Sequence, residues 1–177
     1  MTMTLIETKT VGTAVNTLEF TALPQTYTDL CILLSVRTSI ADNIGYTTIR
    51  VNNSTTNWTS TWLQGNSSAV VSSFSTSAPD FFASGGNTTA NTFGNGSIYI
   101  PNYTAATNKS MSLDFVSENN ASGAFSAMQR IVSALWSNTS AITSFQLIAD
   151  GSTNLAVGTT VSIYGILKGS DGIVTTS

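Results

Sequence analysis

The chain contains no histidine and only one cysteine, which removes the residues on which many catalytic and metal sites depend. Ser-His-Asp and Cys-His arrangements use histidine as the general base, and structural zinc sites need several Cys or His ligands. A disulfide within the chain would need a second cysteine. We interpret Cys31, which lies in the apolar run 30–34, as a small buried hydrophobic residue.

Known sequence motifs for cofactors and phosphates are also missing. The sequence has no Gly-x-Gly-x-x-Gly run between a strand and a helix, and no Gly-Lys-Ser/Thr phosphate loop. None of its lysines lies in a Ser-x-x-Lys motif. We therefore predict a protein that is not an enzyme, with no catalytic residue, no metal and no cofactor.

Charged residues are also scarce and make up 8% of the chain. The formal net charge is -3. The six basic residues are scattered, so no basic stripe could neutralise nucleic-acid phosphates or bind an anionic membrane surface. No apolar run approaches the roughly 18 residues of a membrane span. The first residues lack the basic and apolar regions of a signal peptide. We expect a chain made in a cytoplasm, with no nucleic-acid partner and no membrane insertion.

Ser, Thr, Asn and Gly take the place of the missing charges, and this composition favours strands and turns over helices. Thr is β-branched and suits strands, whereas Ser, Asn and Gly favour turns and interrupt helices. The length of 177 residues fits one domain with a hydrophobic core of its own. The composition therefore predicts a single all-β domain.

Short strand-like runs with turns between them recur along the chain. Residues 4–10 and 13–20 predict an N-terminal hairpin, and the apolar run 29–37 predicts a central strand buried on both faces. Alternation predicts a half-exposed strand over 46–52 and another strand over 109–116.

Later runs complete the set and leave one long region without a clear pattern. Residues 97–100, 142–149 and 159–167 read as strands, and 124–136 fits either a helix or a strand, of which we prefer the strand. Between 53 and 96 we expect a long loop region that contacts partners. It holds one possible strand at 69–74 and a flexible loop at 83–89.

Eight to ten strands at this spacing predict a single-domain antiparallel β-sandwich of the jelly-roll type. We place this domain, including the N-terminal hairpin, at residues 1–168, and a mobile C-terminal tail at 169–177.

Aromatic residues offer the main candidates for binding. Trp58 and Trp62 lie four residues apart and would share one face of a strand, where they could stack against a sugar while Asn57 supplies hydrogen bonds. The alternative, which we favour, is packing in the core or at a subunit interface. Trp136 and Tyr164 lie in apolar runs and read as core or interface residues.

Carboxylates offer a weaker alternative. A glycosidase needs a pair of them, and Asp114 with Glu118, Asp80 or Asp150 could supply one, although a solvated sheet face explains these residues better.

Calcium needs only oxygen ligands, but no loop shows ligand-like spacing. The candidate ligands are Asp42, Asn43, Asp150 and Asn154.

Four segments together resemble a family of small virion proteins of tailed bacteriophages, many of which infect marine bacteria and cyanobacteria. They are residues 23–30 (LPQTYTDL), 99–103 (YIPNY), 135–142 (LWSNTSAI) and 162–166 (SIYGI). The resemblance implies a jelly-roll virion component without enzymatic activity, exposed on the particle. Trimers are common among such proteins, with the final strand, here 159–167, near the threefold axis. On this basis we expect a homotrimer with subunit contacts at Trp136, Tyr164 and Ile166.

Two functional hypotheses follow. The first is a decoration or accessory protein on the head or on a tail appendage, made in the host cytoplasm and bound to itself and to other virion proteins. The alternative is a receptor-binding module at a tail fibre tip, which recognises a host glycan through residues 53–95, with Trp58 and Trp62.

Overall fold

A computed structural model describes residues 2–118, 120 and 125–167, and within these ranges the protein consists of strands and turns. None of the described residues belongs to a helix, so none forms a helix long and apolar enough to cross a membrane. The strands are β1 (Thr2–Thr10), β2 (Thr17–Phe20), β3 (Asp29–Val36), β4 (Ile44–Val51), β5 (Trp58–Gly65), β6 (Val70–Ser75), β7 (Asp80–Ser84), β8 (Gly94–Ile100), β9 (Lys109–Glu118), β10 (Ala127–Trp136), β11 (Phe145–Ala149) and β12 (Thr160–Leu167).

These strands form two antiparallel sheets packed face to face, which confirms the predicted all-β sandwich. The larger sheet has eight strands in the order β1-β12-β3-β8-β9-β10-β5-β6, and the smaller has four in the order β2-β11-β4-β7. The core lies between the sheets and includes Phe81 and Phe115, whose rings stack at 4.2 Å. The predicted tail at 169–177 lies outside the described residues.

The strand pairs of the sandwich are nested along the chain. The first strand pairs with the last, β2 with β11, β3 with β8, and β4 with β7. Two hairpins, β5–β6 and β9–β10, are inserted into this scheme and extend the larger sheet beyond β8.

The predicted N-terminal hairpin is wrong, because β1 and β2 belong to different sheets. Between them the chain crosses from one sheet to the other, where Val11 is buried and its amide donates to the carbonyl of Thr159 at 2.8 Å. The turn signal at residues 11 and 12 therefore marks a change of sheet.

Where hydrophobic and polar residues alternate, the predicted strands are confirmed. In β9 every second residue is buried, and β10 is a strand with the same alternation. In β4 the side chains of Thr47, Ile49 and Val51 are buried.

The central strand β3 corrects the prediction that this segment is buried on both faces. Its residues alternate between the core and the outer face of the larger sheet, where Leu33 is 41% exposed. Cys31 is half-buried on this outer face and is not a core residue. Burial and then the nearby charge of Asp114 raise the pKa of its thiol.

Half of the region 53–96 is sheet, which corrects the prediction of a long loop. It contains β5, β6, β7 and the start of β8, and of these only β6 matches the possible strand at 69–74. The buried residues of β5 include the polar Ser60 and Gln64, so the sequence shows no alternation of apolar and polar residues that would predict a strand.

The predicted flexible loop at 83–89 is held by a set of exposed and half-buried hydrogen bonds. Ala83 and Ser84 belong to β7, and the guanidinium of Arg37 binds the turn that follows. It donates to the carbonyls of Gly86, Thr88, Thr89 and Thr92 at 2.9–3.3 Å.

Asparagine supplies much of the turn geometry. Nine non-glycine residues among those described have positive φ, and six of them are Asn. Asn tolerates the left-handed conformation better than other L residues. The high Asn content therefore serves tight turns between strands.

Candidate functional site

Trp58 and Trp136 lie together in the core. Each is 2% exposed, and their rings stack with centroids 6.1 Å apart. Both indole N–H groups donate to Ser54, that of Trp58 to the carbonyl at 3.1 Å and that of Trp136 to the hydroxyl at 3.0 Å. The ring of Trp58 is therefore closed to a sugar, and Trp136 is closed to a neighbouring subunit.

Trp62 lies on the same inner face of β5 as Trp58, as the spacing predicted, but in different surroundings. It is half-buried, and the guanidinium of Arg130 lies 4.3 Å from the centre of its ring. Asn57 is exposed in the turn before β5, where its carbonyl accepts the amide of Ser137 at 2.7 Å. The two tryptophans do not form one exposed platform.

The other two predicted interface residues lie near the end of β12. Ile166 is 6% exposed, whereas Tyr164 is half-buried on the outer face, directly opposite Leu5 and Cys31. Of the predicted interface set, only Tyr164 is accessible to a second subunit.

Asp114 and Glu118, weighed above as a weak glycosidase alternative, do not form a carboxylate pair. Asp114 and Glu118 are exposed on the outer face of β9, four residues apart on one strand. At about 3.3 Å per residue this separates them by about 13 Å, beyond the range of about 5–9.5 Å in which two carboxyl groups act on one glycosidic bond. Each carboxylate also accepts a local hydrogen bond, from the Ser97 hydroxyl and the Asn120 amide respectively.

The four segments that carry the phage resemblance meet at one end of the sandwich, and Asp29 connects two of them. The buried carboxylate of Asp29 accepts the hydroxyl of Tyr99 at 2.5 Å and the amide of Asn102 at 2.9 Å. The hydrogen bond to Asp29, together with burial, raises the pKa of Tyr99 to about 12.

Tyr103 brings in a third segment at the same end. Its buried hydroxyl donates to the carbonyl of Pro24, and its carbonyl accepts the amide of Ile142 at 2.9 Å. The amide of Gln25 in turn donates to the carbonyl of Ile142 at 2.9 Å.

The fourth segment joins through Gly165, whose Cα faces the ring of Tyr27. The neighbouring carbonyl of Ile166 accepts the amide of Thr28 at 2.9 Å. These contacts form a structural joint that holds the four segments together.

A cleft that sequence reasoning missed lies between the two sheets, beyond the edge strand β7. The smaller sheet ends at β7, which contacts β8, β9 and β10, so β5 and β6 extend past it. We call the resulting space of about 370 Å³ the aromatic cleft. It is lined by Tyr46, Trp62, Gln64, Ser73, Phe74, Ser75, Asp80, Phe82, Phe125 and Arg130.

Arg130 is the charged centre of the aromatic cleft. Its side chain is 4% exposed and pairs with Asp80 at 2.9 Å. The guanidinium lies over Trp62 and 5.1 Å from the ring of Phe82, which itself contacts Tyr46 with centroids 4.4 Å apart. Burial lowers the pKa of Arg130 and raises that of Asp80, and in both groups it outweighs the charge of the partner.

Of the residues lining this cleft, Trp62 was predicted as a binding residue and Asp80 was considered only as a glycosidase carboxylate. The other members come from β4, β5, β6, β7, β10 and the turn before it, and they meet through the register of two sheets. Arg130 lies directly opposite Gln64 on β5, a pairing that no sequence spacing reveals. The one signal of the cleft in the sequence was Arg130, a single arginine in an apolar run.

Within the described ranges no three His, Cys, Asp or Glu side chains come together. The oxygens of the proposed calcium ligands serve other contacts: Asp150 accepts the hydroxyl of Thr48 at 2.8 Å, and Asp42 accepts the amide of Asn43 at 2.6 Å. Comparison of the chain with protein-family models, with curated proteins and with solved structures found no match.

Proposed function

We propose that this protein is a non-enzymatic structural component of a tailed-phage virion, exposed on the particle as a decoration or accessory protein of the head or a tail appendage. The observation that carries the proposal is the nested strand pairing. The binding partners of the protein are further copies of itself, in a homotrimer, and other virion proteins.

Nested pairing supports a jelly roll. A jelly roll combines two Greek keys in two facing sheets, and it results when a long antiparallel hairpin is wound around a core. Here β1 to β4 pair in order with β12, β11, β8 and β7, and the resulting four-stranded groups are β1-β12-β3-β8 and β2-β11-β4-β7. Jelly rolls are frequent in viral capsids, which links this connectivity to a virion role.

The outer surface of the larger sheet supports a role in assembly. The outward residues of β9 include Ser110 and Ser112, and those of β12 include Thr160 and Ser162. Short hydroxyl side chains lose little conformational entropy when a subunit contact forms. Only two ion pairs occur among the described residues, so contacts through such a surface depend little on salt.

The joint at one end of the sandwich also supports the proposal. The segments that resemble the phage family contact one another through Asp29, Tyr103 and Gly165. Their residues hold the ends of strands in place. A resemblance through such residues fits proteins that share a scaffold and have no active site in common.

The test is to label intact virions with an antibody against this protein and to locate the label by electron microscopy. Even label over the head, or label along a tail appendage, is the expected result. Absence of label from purified virions would contradict the proposal. Label confined to the tip of a tail fibre would favour the receptor-binding alternative.

Subunit contact has its own test. Tyr164→Arg places a charge on the accessible part of the predicted interface, and we expect it to convert a trimer to monomers in sedimentation. Ser110→Arg, on the outer face of the same sheet, is the matched control. A trimer that survives Tyr164→Arg would show that the interface lies elsewhere.

A further inference from the structure

Exposed and half-buried aromatic side chains come together at the aromatic cleft. Among the described residues four aromatic side chains are exposed, namely Tyr46 (49%), Phe74 (62%), Phe125 (41%) and Tyr99 (37%). Tyr46 and Phe125 line the aromatic cleft together with the half-buried Trp62, whereas the side chain of Phe74, which pairs with Thr61, lies on the outer face of the larger sheet. Exposed apolar groups gathered in one place mark an interaction site.

Aromatic faces of this kind bind flat apolar surfaces whose edges are polar. The rings of Tyr and Trp offer an apolar body with a polar group at one end. The volume of about 370 Å³ lies at the lower end of the range typical of small-molecule sites, about 300–1,000 Å³. A pyranose ring has the matching shape, because its axial C–H groups form an apolar face and its hydroxyls lie around the rim.

Polar groups in the same cleft match the hydroxyls of such a ring. Ser73 and Ser75 lie on the exposed edge strand β6, and Asp80 keeps 24% of its side chain exposed. Gln64 is 6% exposed, and among the described residues no partner lies within hydrogen-bonding distance of its Oε1 atom. The cleft therefore offers hydroxyls, a carboxylate and an amide beside the aromatic rings.

The charge of the cleft selects the ligand. Arg130 is the one cation among its lining residues, and Asp80 already pairs with it, so the pair is neutral overall. An acidic sugar would have to displace Asp80 from a buried guanidinium or lie beside a second negative charge, and either costs free energy. A neutral ligand meets neither cost.

Arg130 also prepares the aromatic surface. Its guanidinium lies between the rings of Trp62 and Phe82, at 4.3 and 5.1 Å from their centres. Cation–π contacts in a buried setting restrain the orientation of the rings before a ligand arrives. A restrained ring loses less conformational entropy on binding.

We propose that the aromatic cleft binds the pyranose ring of a neutral sugar, with Tyr46, Trp62 and Phe125 as the aromatic surface and Asp80, Gln64 and the β6 serines as hydrogen-bonding groups. This function goes beyond a structural role in the virion and does not depend on it. The main competing interpretation is that these side chains only close the open edge of the sandwich.

The test is an NMR titration of the full chain, followed through its three tryptophan indole N–H signals. The probes are glucose, galactose, mannose and N-acetylglucosamine, with glucuronic acid and N-acetylneuraminic acid as acidic comparisons, each up to about 100 mM, well above a weak Kd of about 1 mM. We expect a neutral sugar to shift the Trp62 signal and to leave those of the buried Trp58 and Trp136 unchanged.

Two variants with matched controls locate the site. Tyr46→Ala is compared with Leu63→Ala, since these side chains are 49% and 50% exposed, and Phe125→Ser with Leu33→Ser, each 41% exposed. We expect the cleft variants to weaken binding at least about tenfold and the controls to bind as the wild type does. The Phe125 pair decides the matter if Tyr46→Ala does not fold.

Three results would overturn the proposal. If none of the neutral sugars shifts the Trp62 signal, the cleft only closes the sandwich edge. If an acidic sugar binds more tightly than the neutral ones, the charge argument is wrong. If both folded cleft variants bind as the wild type does, the sugar site lies elsewhere.

Discussion

At the scale of single residues, Gly165 shows how closely the structural joint is packed. A Cβ at this position would overlap the ring of Tyr27, whereas a Cβ at Gly65, also in a strand of the larger sheet, would meet nothing within 4 Å. We expect Gly165→Ala to lower the free energy of unfolding by about 1–3 kcal/mol, because the ring must move. Gly65→Ala should leave it unchanged within about 0.5 kcal/mol. Urea denaturation measures both, and equal values for the two variants would contradict the packing.

Tyr99 provides a pH-dependent signal at the same joint. Its pKa is raised to about 12, above the value near 10 expected in the unfolded chain, because its protonated hydroxyl donates to Asp29. The stability that this bond contributes is therefore complete below about pH 10 and is lost as the pH rises through about 12. Ultraviolet titration should show late ionisation of Tyr99 and also of Tyr103, whose pKa is raised mainly by burial. Tyr99→Phe should remove one late step and leave that of Tyr103. A titration curve that Tyr99→Phe leaves unchanged would contradict the hydrogen bond to Asp29.

At the scale of elements, the turn after β7 depends on one side chain. Arg37 donates to four carbonyls between residues 86 and 92, and a lysine cannot match this forked geometry. We expect amide hydrogen exchange in this turn to be slowest in the wild type, faster in Arg37→Lys and fastest in Arg37→Met. Exchange in β9 is the internal control. Equal rates in the three proteins would mean that the turn holds its shape without the guanidinium.

Strands were predictable where burial follows hydrophobicity. β9 and β4 alternate between apolar and polar residues and were predicted from this pattern, whereas the pattern of β10 also fitted a helix and was assigned as a strand because its neighbours are strands. β5 was missed because its buried face carries Ser60 and Gln64 beside the tryptophans. β7 was missed because four successive residues, 81–84, are all buried, so its sequence does not alternate.

The sequence revealed which segments form strands more readily than it revealed which strands pair with one another. β1 and β2 are neighbours in sequence, yet their partners lie about 125 to 165 residues away (for example Phe20 with Phe145, and Leu5 with Tyr164). The aromatic cleft depends on the same long-range pairing, since it unites Tyr46 of β4 with Arg130 of β10. Trp62 was predicted as a binding residue from its residue type, whereas the other residues of the cleft could be identified only from the register of the sheets.

At the scale of the whole molecule, stability should be nearly independent of salt. The described residues form two ion pairs, one of them exposed between Glu7 and Lys9. Screening therefore removes little favourable charge interaction. We expect the Tm to change by less than about 2 °C between about 0.05 and 1 M NaCl, as measured by calorimetry. A fall of about 10 °C would show that long-range charge interactions contribute more than these contacts indicate.

The nested pairing also governs how the chain is made. During synthesis β1 leaves the ribosome about 150 residues before its partner β12. β12 also lies between β1 and β3, so until it arrives the larger sheet has a gap with two bare strand edges facing it. The sandwich therefore cannot close until β12 has been translated, and a ribosome that stalls before β12 releases a product with an open sheet.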